Sequence, residues 1–181
     1  MERPTFTSKC AYAAAALFVI AMAMLITQPP PATFSGPPPA IVVAISVAFT
    51  LFHLSLLPVI ASLAAPEWAR GSGYAWVAVD NVIVFMSYFG VGADLVTPMR
   101  MGIHLAAATW LLGGGVAAQG GFRWVGWAGA LAFTAVSAVA PIVGSAQANQ
   151  MLGPAGVLLV TWLVMAGGRL GKVMTTSSVR V

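Results

Sequence analysis

The sequence predicts an all-α integral membrane protein, a six-helix transmembrane bundle forming a single domain over residues 1–181, on the strength of three observations. Apolar residues make up 60% of the chain and charged residues only 7%, where a soluble domain carries about 25% charged residues. The apolar residues gather into six runs, near residues 10–27, 41–64, 74–95, 98–118, 124–144 and 155–168, and a bilayer core of about 30 Å needs about 20 such residues per helix. The links between runs are short and rich in Gly and Pro. With nearly the whole chain taken up by spans, any chemistry belongs inside the bundle or at its rims.

The first run, Cys10 to Thr27, has the length of a signal-peptide core. No clean small-x-small cleavage site follows it before the prolines, and Cys10 precedes the run rather than following it as in a lipoprotein leader, so a retained first helix is expected. Residues 28–40 carry Pro29, Pro30, Pro31, Pro37, Pro38 and Pro39 without a charge, which suggests an extended, polyproline-like external loop covering the bundle mouth. The second run, Ile41 to Ala64, places Ser46, Thr50 and His53 at i, i+4 and i+7, hence on one helical face.

The third run, Tyr74 to Leu95, spaces Asp80, Ser87 and Asp94 seven residues apart. At about 100° per residue they fall within roughly 40° of one another, a polar stripe about 21 Å long. Asn81 and Tyr88 form a second stripe beside it. Counted from the predicted outer ends, His53 lies roughly 18 Å deep and Asp80 roughly 21 Å, so the two can meet. A buried charge costs at least a few kcal/mol in lipid and usually faces the bundle interior. Such a pair is either a structural stitch between helices or a proton-transfer group.

In the fourth run, Pro98 to Ala118, Thr97 and Pro98 look like an N-cap and first helical residue. The turn before them groups Asp94, Arg100 and His104, with Asp94 expected to neutralise Arg100 at the outer interface. The fifth run, Trp124 to Gly144, echoes the second: Ala132-Phe133-Thr134 precedes Pro141-Ile142-Val143-Gly144-Ser145 as Ala48-Phe49-Thr50 precedes Pro58-Val59-Ile60-Ala61-Ser62. The echo is either an inverted three-plus-three repeat or coincidence in a chain so rich in Ala, Val, Gly and Ser. Gln147, Asn149 and Gln150 follow as neutral polar groups for an outer vestibule. The sixth run, Ala155 to Gly168, ends in a short cytoplasmic tail, residues 173–181.

Orientation follows from positive residues. With six alternating spans, Arg3, Lys9, Arg70, Arg123, Arg169, Lys172 and Arg180 share one side and Arg100 stands alone on the other. Both termini are therefore expected in the cytoplasm, with the chain in the cell membrane. Trp68, Tyr74, Trp76, Phe122, Trp124 and Trp127 fall at the same cytoplasmic interface, as an aromatic belt would.

The formal charge of +4 comes without a basic run, so nucleic acid is not expected as a partner. Cys10 is the only cysteine, which excludes an intramolecular disulfide or a CxxC site. No HExxH, GxSxG or phosphate-binding glycine loop is present, and no metal site or particular cofactor is implied. His53 and His104 differ in depth by roughly 9 Å on the helical rise, against bis-histidine haem ligation, though either can hold one pigment or metal axially. Gly113-Gly114-Gly115 and the Gly167 to Gly171 spacing fit close helix packing, the latter a small-xxx-small pattern also used in dimers.

Three functions fit these residues. The first is a small permeation or transport protein whose path runs along Ser46, Thr50, His53, Asp80, Asn81, Ser87, Tyr88, Asp94 and His104. The second is an intramembrane enzyme with His53, Asp80 and Asp94 as acid–base candidates, acting on a lipid-soluble substrate such as an isoprenoid, sterol-like lipid or quinone. The third is an accessory subunit of a membrane complex. Expected partners are the lipid bilayer and a second copy or larger complex; whether the chain is an enzyme is not decided by its sequence.

Overall fold

A computed structural model of the chain describes residues 5–29, 34, 36–144, 147–148 and 151–177, with side chains to residue 171. Among the described residues the elements are α1 (Phe6–Thr27), α2 (Ala40–Ser62), α3 (Glu67–Tyr88), α4 (Ala93–Val116), α5 (Gly121–Val143) and α6 (Leu152–Ser177). Of these α1, α2, α5 and α6 are long and apolar enough to cross a membrane. Helices α3 and α4 are as long, but Glu67, Arg70 and Asp80 in one and Asp94 and Arg100 in the other make them less apolar.

Each helix packs on its chain neighbour, and α6 packs back on α1, closing a ring. The short links 63–66, 89–92 and 117–120 leave consecutive helices no choice but to run antiparallel. Helix α1 has only Ser8, Ala11, Ala14, Ala15 and Ala21 buried, small residues that allow close approach of backbones. Ser8 Oγ donates to the Gly167 carbonyl at 2.7 Å, and Gly167 receives the ring of Tyr12. The Gly167 to Gly171 pattern thus joins α6 to α1 within one chain.

Local chemistry sets the ends. Thr5 caps α1 by accepting from the Ser8 N–H at 3.1 Å. Gly120, with φ 62° and ψ −150°, admits the chain into α5, a conformation open essentially to glycine alone. Gly90, with φ 78°, ends α3.

That last turn corrects the sequence expectation at two places. The third helix stops at Tyr88 and begins at Glu67 rather than Tyr74, so Asp94 belongs to α4. Helix α4 starts five residues before Pro98, at Ala93, with Gly92 as an N-cap that makes no side-chain bond. Thr97 and Pro98 are therefore interior rather than a cap. Pro98 costs only the bond that the Asp94 carbonyl would accept, a loss the first turns of a helix tolerate. Asp94 is exposed in the first turn, where a negative charge suits the helix dipole.

The sixth helix also exceeds its predicted run, continuing through Ser177 into the predicted tail; residues 178–181 lie outside the described residues. So do Pro30 and Pro31 of the proline loop, Ser145 of the echo, and Asn149 and Gln150 of the vestibule. Pro58 and Pro141 are carried inside α2 and α5, and neither lines a cavity described below.

Candidate functional site

The ring has two unlike halves. Toward the chain ends it is filled by aromatic side chains: Trp76 lies 5.9 Å from Trp110, Trp110 4.8 Å from Trp162, and Trp162 stacks at 4.8 Å on Phe122. Glycines make room for them, since a Cβ on Gly114 would meet Trp162 at 2.8 Å and one on Gly126 would meet it at 2.9 Å. Trp76 and Phe122, expected in an interfacial belt, are instead 2% exposed, while Trp68 and Trp124 keep to the rim. The reason is geometric: in α3, Trp76 is one turn before Asp80 on the inward face.

Toward the proline loop the ring encloses a cavity of about 330 Å³ to which all six helices contribute. Phe18, Phe52, Trp76, Phe133 and Leu159 make its walls apolar, and Asp80, Arg100 and His104 are its ionisable groups. A second cavity of about 240 Å³ lies between α2, α3 and α4, lined in part by Ser46, Ser87 and Thr97. The two share Leu25, Phe49 and Arg100. Arg100 therefore stands where they meet.

Asp80 is the centre of the polar cluster. Its Oδ1 accepts from Arg100 Nε at 3.1 Å, and its Oδ2 lies 3.1 Å from His53 Nε2. The His53 contact is close but poorly aligned with the ring N–H, so we treat it as a charge–dipole contact rather than a full hydrogen bond. His53 is fully buried, held between Phe52 at 4.8 Å and Trp76 at 5.8 Å. It backs Asp80 and does not line the cavity. His104, 6% exposed, stacks obliquely on Phe133 at 5.1 Å, with Nδ1 buried and unpartnered among the described residues.

The predicted pairing of Asp94 with Arg100 is thus replaced by Asp80 with Arg100. Arg100 is four residues before His104, so both project from one face of α4. That i, i+4 spacing inside an apolar run was the signal in the sequence for a membrane-depth pair. Among the remaining path candidates, Ser46 and Ser87 line the second cavity, the Ser87 hydroxyl donating to its own helix at Ile83. Asn81 donates to the Val77 carbonyl and Tyr88 packs on Phe89; neither they nor Thr50 nor Asp94 lines either cavity.

Chemically, the cluster combines a carboxylate engaged on both oxygens, a guanidinium hydrogen-bonded through Nε and lying 6.0 Å over the Phe49 ring, and an imidazole at the wall. Arg100 Nη1 and Nη2 make no hydrogen bond to the described residues. Among the described residues no group of three His, Cys, Asp or Glu side chains is arranged to hold a metal ion. Comparison of the chain with protein-family models, with curated proteins and with solved structures finds no match. The chain is a helical protein of multi-pass membrane type, and its function is argued from the site alone.

Proposed function

We propose that all six helices cross the cell membrane with both chain ends in the cytoplasm, and that the central cavity takes a lipid-soluble molecule whose polar end undergoes proton transfer with His104 beside the Asp80 carboxylate. The observation that carries this is the convergence of Asp80, Arg100 and His104 on one otherwise apolar cavity. A largely apolar pocket with a few convergent polar groups is the usual form of a small-molecule site, and paired titratable groups are what acid–base work requires. Arg100 anchors the polar end, His104 exchanges the proton, and Asp80, held between His53 and Arg100, supplies the fixed negative charge beside it. Arg70, Arg123 and Arg169 at the end of the ring opposite the proline loop support the orientation.

Transport is the second reading, favoured by a separate observation: the two cavities meet at Arg100 and extend the polar route through Ser46 and Ser87. On that reading the tryptophan cluster has to open. One experiment separates the two. Native mass spectra of the protein released from nanodiscs, incubated with an apolar extract of its host membrane, are compared for the wild type and His104→Gln, with the released ligand resolved by chromatography. Acid–base chemistry gives a one-to-one adduct whose released ligand is converted to an isomer by the wild type and left unconverted by His104→Gln. Flux of an unchanged solute into proteoliposomes, with no converted adduct, favours transport.

A further inference from the structure

We propose that the polar end held at Arg100 is a carboxylate, so that the cavity takes an amphiphilic carboxylic acid together with one proton. This rests on the central cavity being a ligand site, and it adds the chemical class of the ligand.

Arg100 carries five N–H donors in a planar fork, and one of them is spent on Asp80 Oδ1 at 3.1 Å. The outer edge of the fork, Nη1 and Nη2, has no acceptor among the described residues, although the side chain lines both cavities. Two parallel N–H groups match the two oxygens of a carboxylate or phosphate. A hydroxyl or single carbonyl would use only part of that edge.

Charge decides between the two anions. Arg100 and Asp80 already cancel, and among the described residues no Lys or Arg besides Arg100 lines either cavity. One added negative charge is balanced by one proton on an imidazole. A phosphate monoester brings about −1.5 to −2 and would leave the cavity negative, a costly state inside lipid. His104 is the imidazole in place: it lines the cavity, it is one turn from Arg100, and its Nδ1 lacks a partner. The charged and titratable groups around it are Asp80 from α3, Arg100 on its own helix and His53 from α2 beyond Asp80. Helix α5 meets it with Phe133, while α1 and α6 add only apolar or glycine positions to the wall. Those walls suit the acid's hydrocarbon tail.

The test uses the full chain in micelles, titrated with hexadecanoic acid, its methyl ester, hexadecanol and hexadecyl phosphate, with bound ligand counted by native mass spectrometry. The acid binds one-to-one and at least tenfold more tightly than the ester, alcohol or phosphate. Its affinity rises up to tenfold for each pH unit lowered where His104 takes the proton, and His104→Gln flattens that slope. Arg100→Gln brings the acid down to the level of the ester, and Arg100→Lys, which keeps the charge without the fork, falls between. The wild-type comparison of acid with ester needs no variant, so misfolding of Arg100→Gln does not affect it. Equal binding of acid and ester, tighter binding of the phosphate, or an unchanged preference in folded Arg100→Gln overturns the carboxylate and leaves the cavity as a site for another amphiphile. Absence of any adduct overturns the cavity as a ligand site altogether.

Discussion

Separating Asp80 from Arg100 should be among the most damaging single changes in this protein, and the size of the effect can be worked out beforehand. The Nε to Oδ1 distance is 3.1 Å, which puts the charge centres about 4 Å apart. At an effective dielectric constant of about 20, two unit charges at that separation attract by about 4 kcal/mol. Removing one member of a buried pair costs about 3–5 kcal/mol. The Arg100 side chain is 28% exposed, which favours the lower figure. We therefore expect about 3 kcal/mol for Arg100→Gln and a similar loss for Asp80→Asn. The double variant leaves two neutral amides able to hydrogen-bond and should lose only about 1–2 kcal/mol, giving a coupling of about 4–5 kcal/mol. Equilibrium unfolding in mixed micelles, followed by the near-ultraviolet circular dichroism of the Trp76, Trp110 and Trp162 cluster, measures all three. If the single losses add to within about 0.5 kcal/mol, the two charges do not sense each other and the cluster is not what organises the site.

Accessibility offers a second check: in a Cys10→Ala background, His104→Cys should react with a small thiol reagent and His53→Cys should not, because only His104 lines the cavity. Equal labelling would refute the placement of His53 behind Asp80. In the aromatic half, Gly126→Ala puts a Cβ 3.0 Å from the Leu111 carbonyl as well as against Trp162, and should cost about 2 kcal/mol in the same unfolding assay. Gly120→Ala should lose about 1–3 kcal/mol because its φ of 62° with ψ −150° excludes a side chain. Gly102→Ala, in open space within α4, should instead gain up to about 1 kcal/mol; the opposite ranking of these two would contradict the helix boundaries. Ser8→Ala removes the bond that ties α1 to α6 and should cost about 1 kcal/mol, with the loss confined to that seam in hydrogen exchange.

What was legible in the sequence was the chemistry of depth. Counting helical rise from two ends brought His53 and Asp80 to the same level, and they do lie side by side. What was not legible was facing and phase. Apolar residues continue on both sides of Gly90 in the stretch from Tyr74 to Leu95, so a glycine that reverses the chain looks like one more small residue. The sequence therefore puts Asp94 on the third helix and pairs it with Arg100, where the fold puts it on α4 and gives Arg100 to Asp80. Trp76 and Phe122 were misplaced for a related reason: with lipid on one side and a packed interior on the other, both faces of such a helix are apolar, so periodicity does not distinguish inward from outward. The partition between cavity and aromatic plug depends on six helices closing at once, which no single run of sequence encodes.

The opposite charges of α3 and α4 also bear on how the chain is put into a membrane. These are the two helices that fall short of the apolarity shown by the other four, and an acid or base at the centre of a lone helix disfavours integration by about 2.5–3.5 kcal/mol. If both cross the membrane, as proposed above, the tight link 89–92 lets them enter it as one hairpin in which the Asp80 and Arg100 charges cancel each other. On that proposal Asp80 would be synthesised first, and Arg100, twenty residues later, would complete the pair. The residues that equip the cavity would on this account also time the release of its central helices into lipid, so that a chain unable to form the site would fail to acquire its topology.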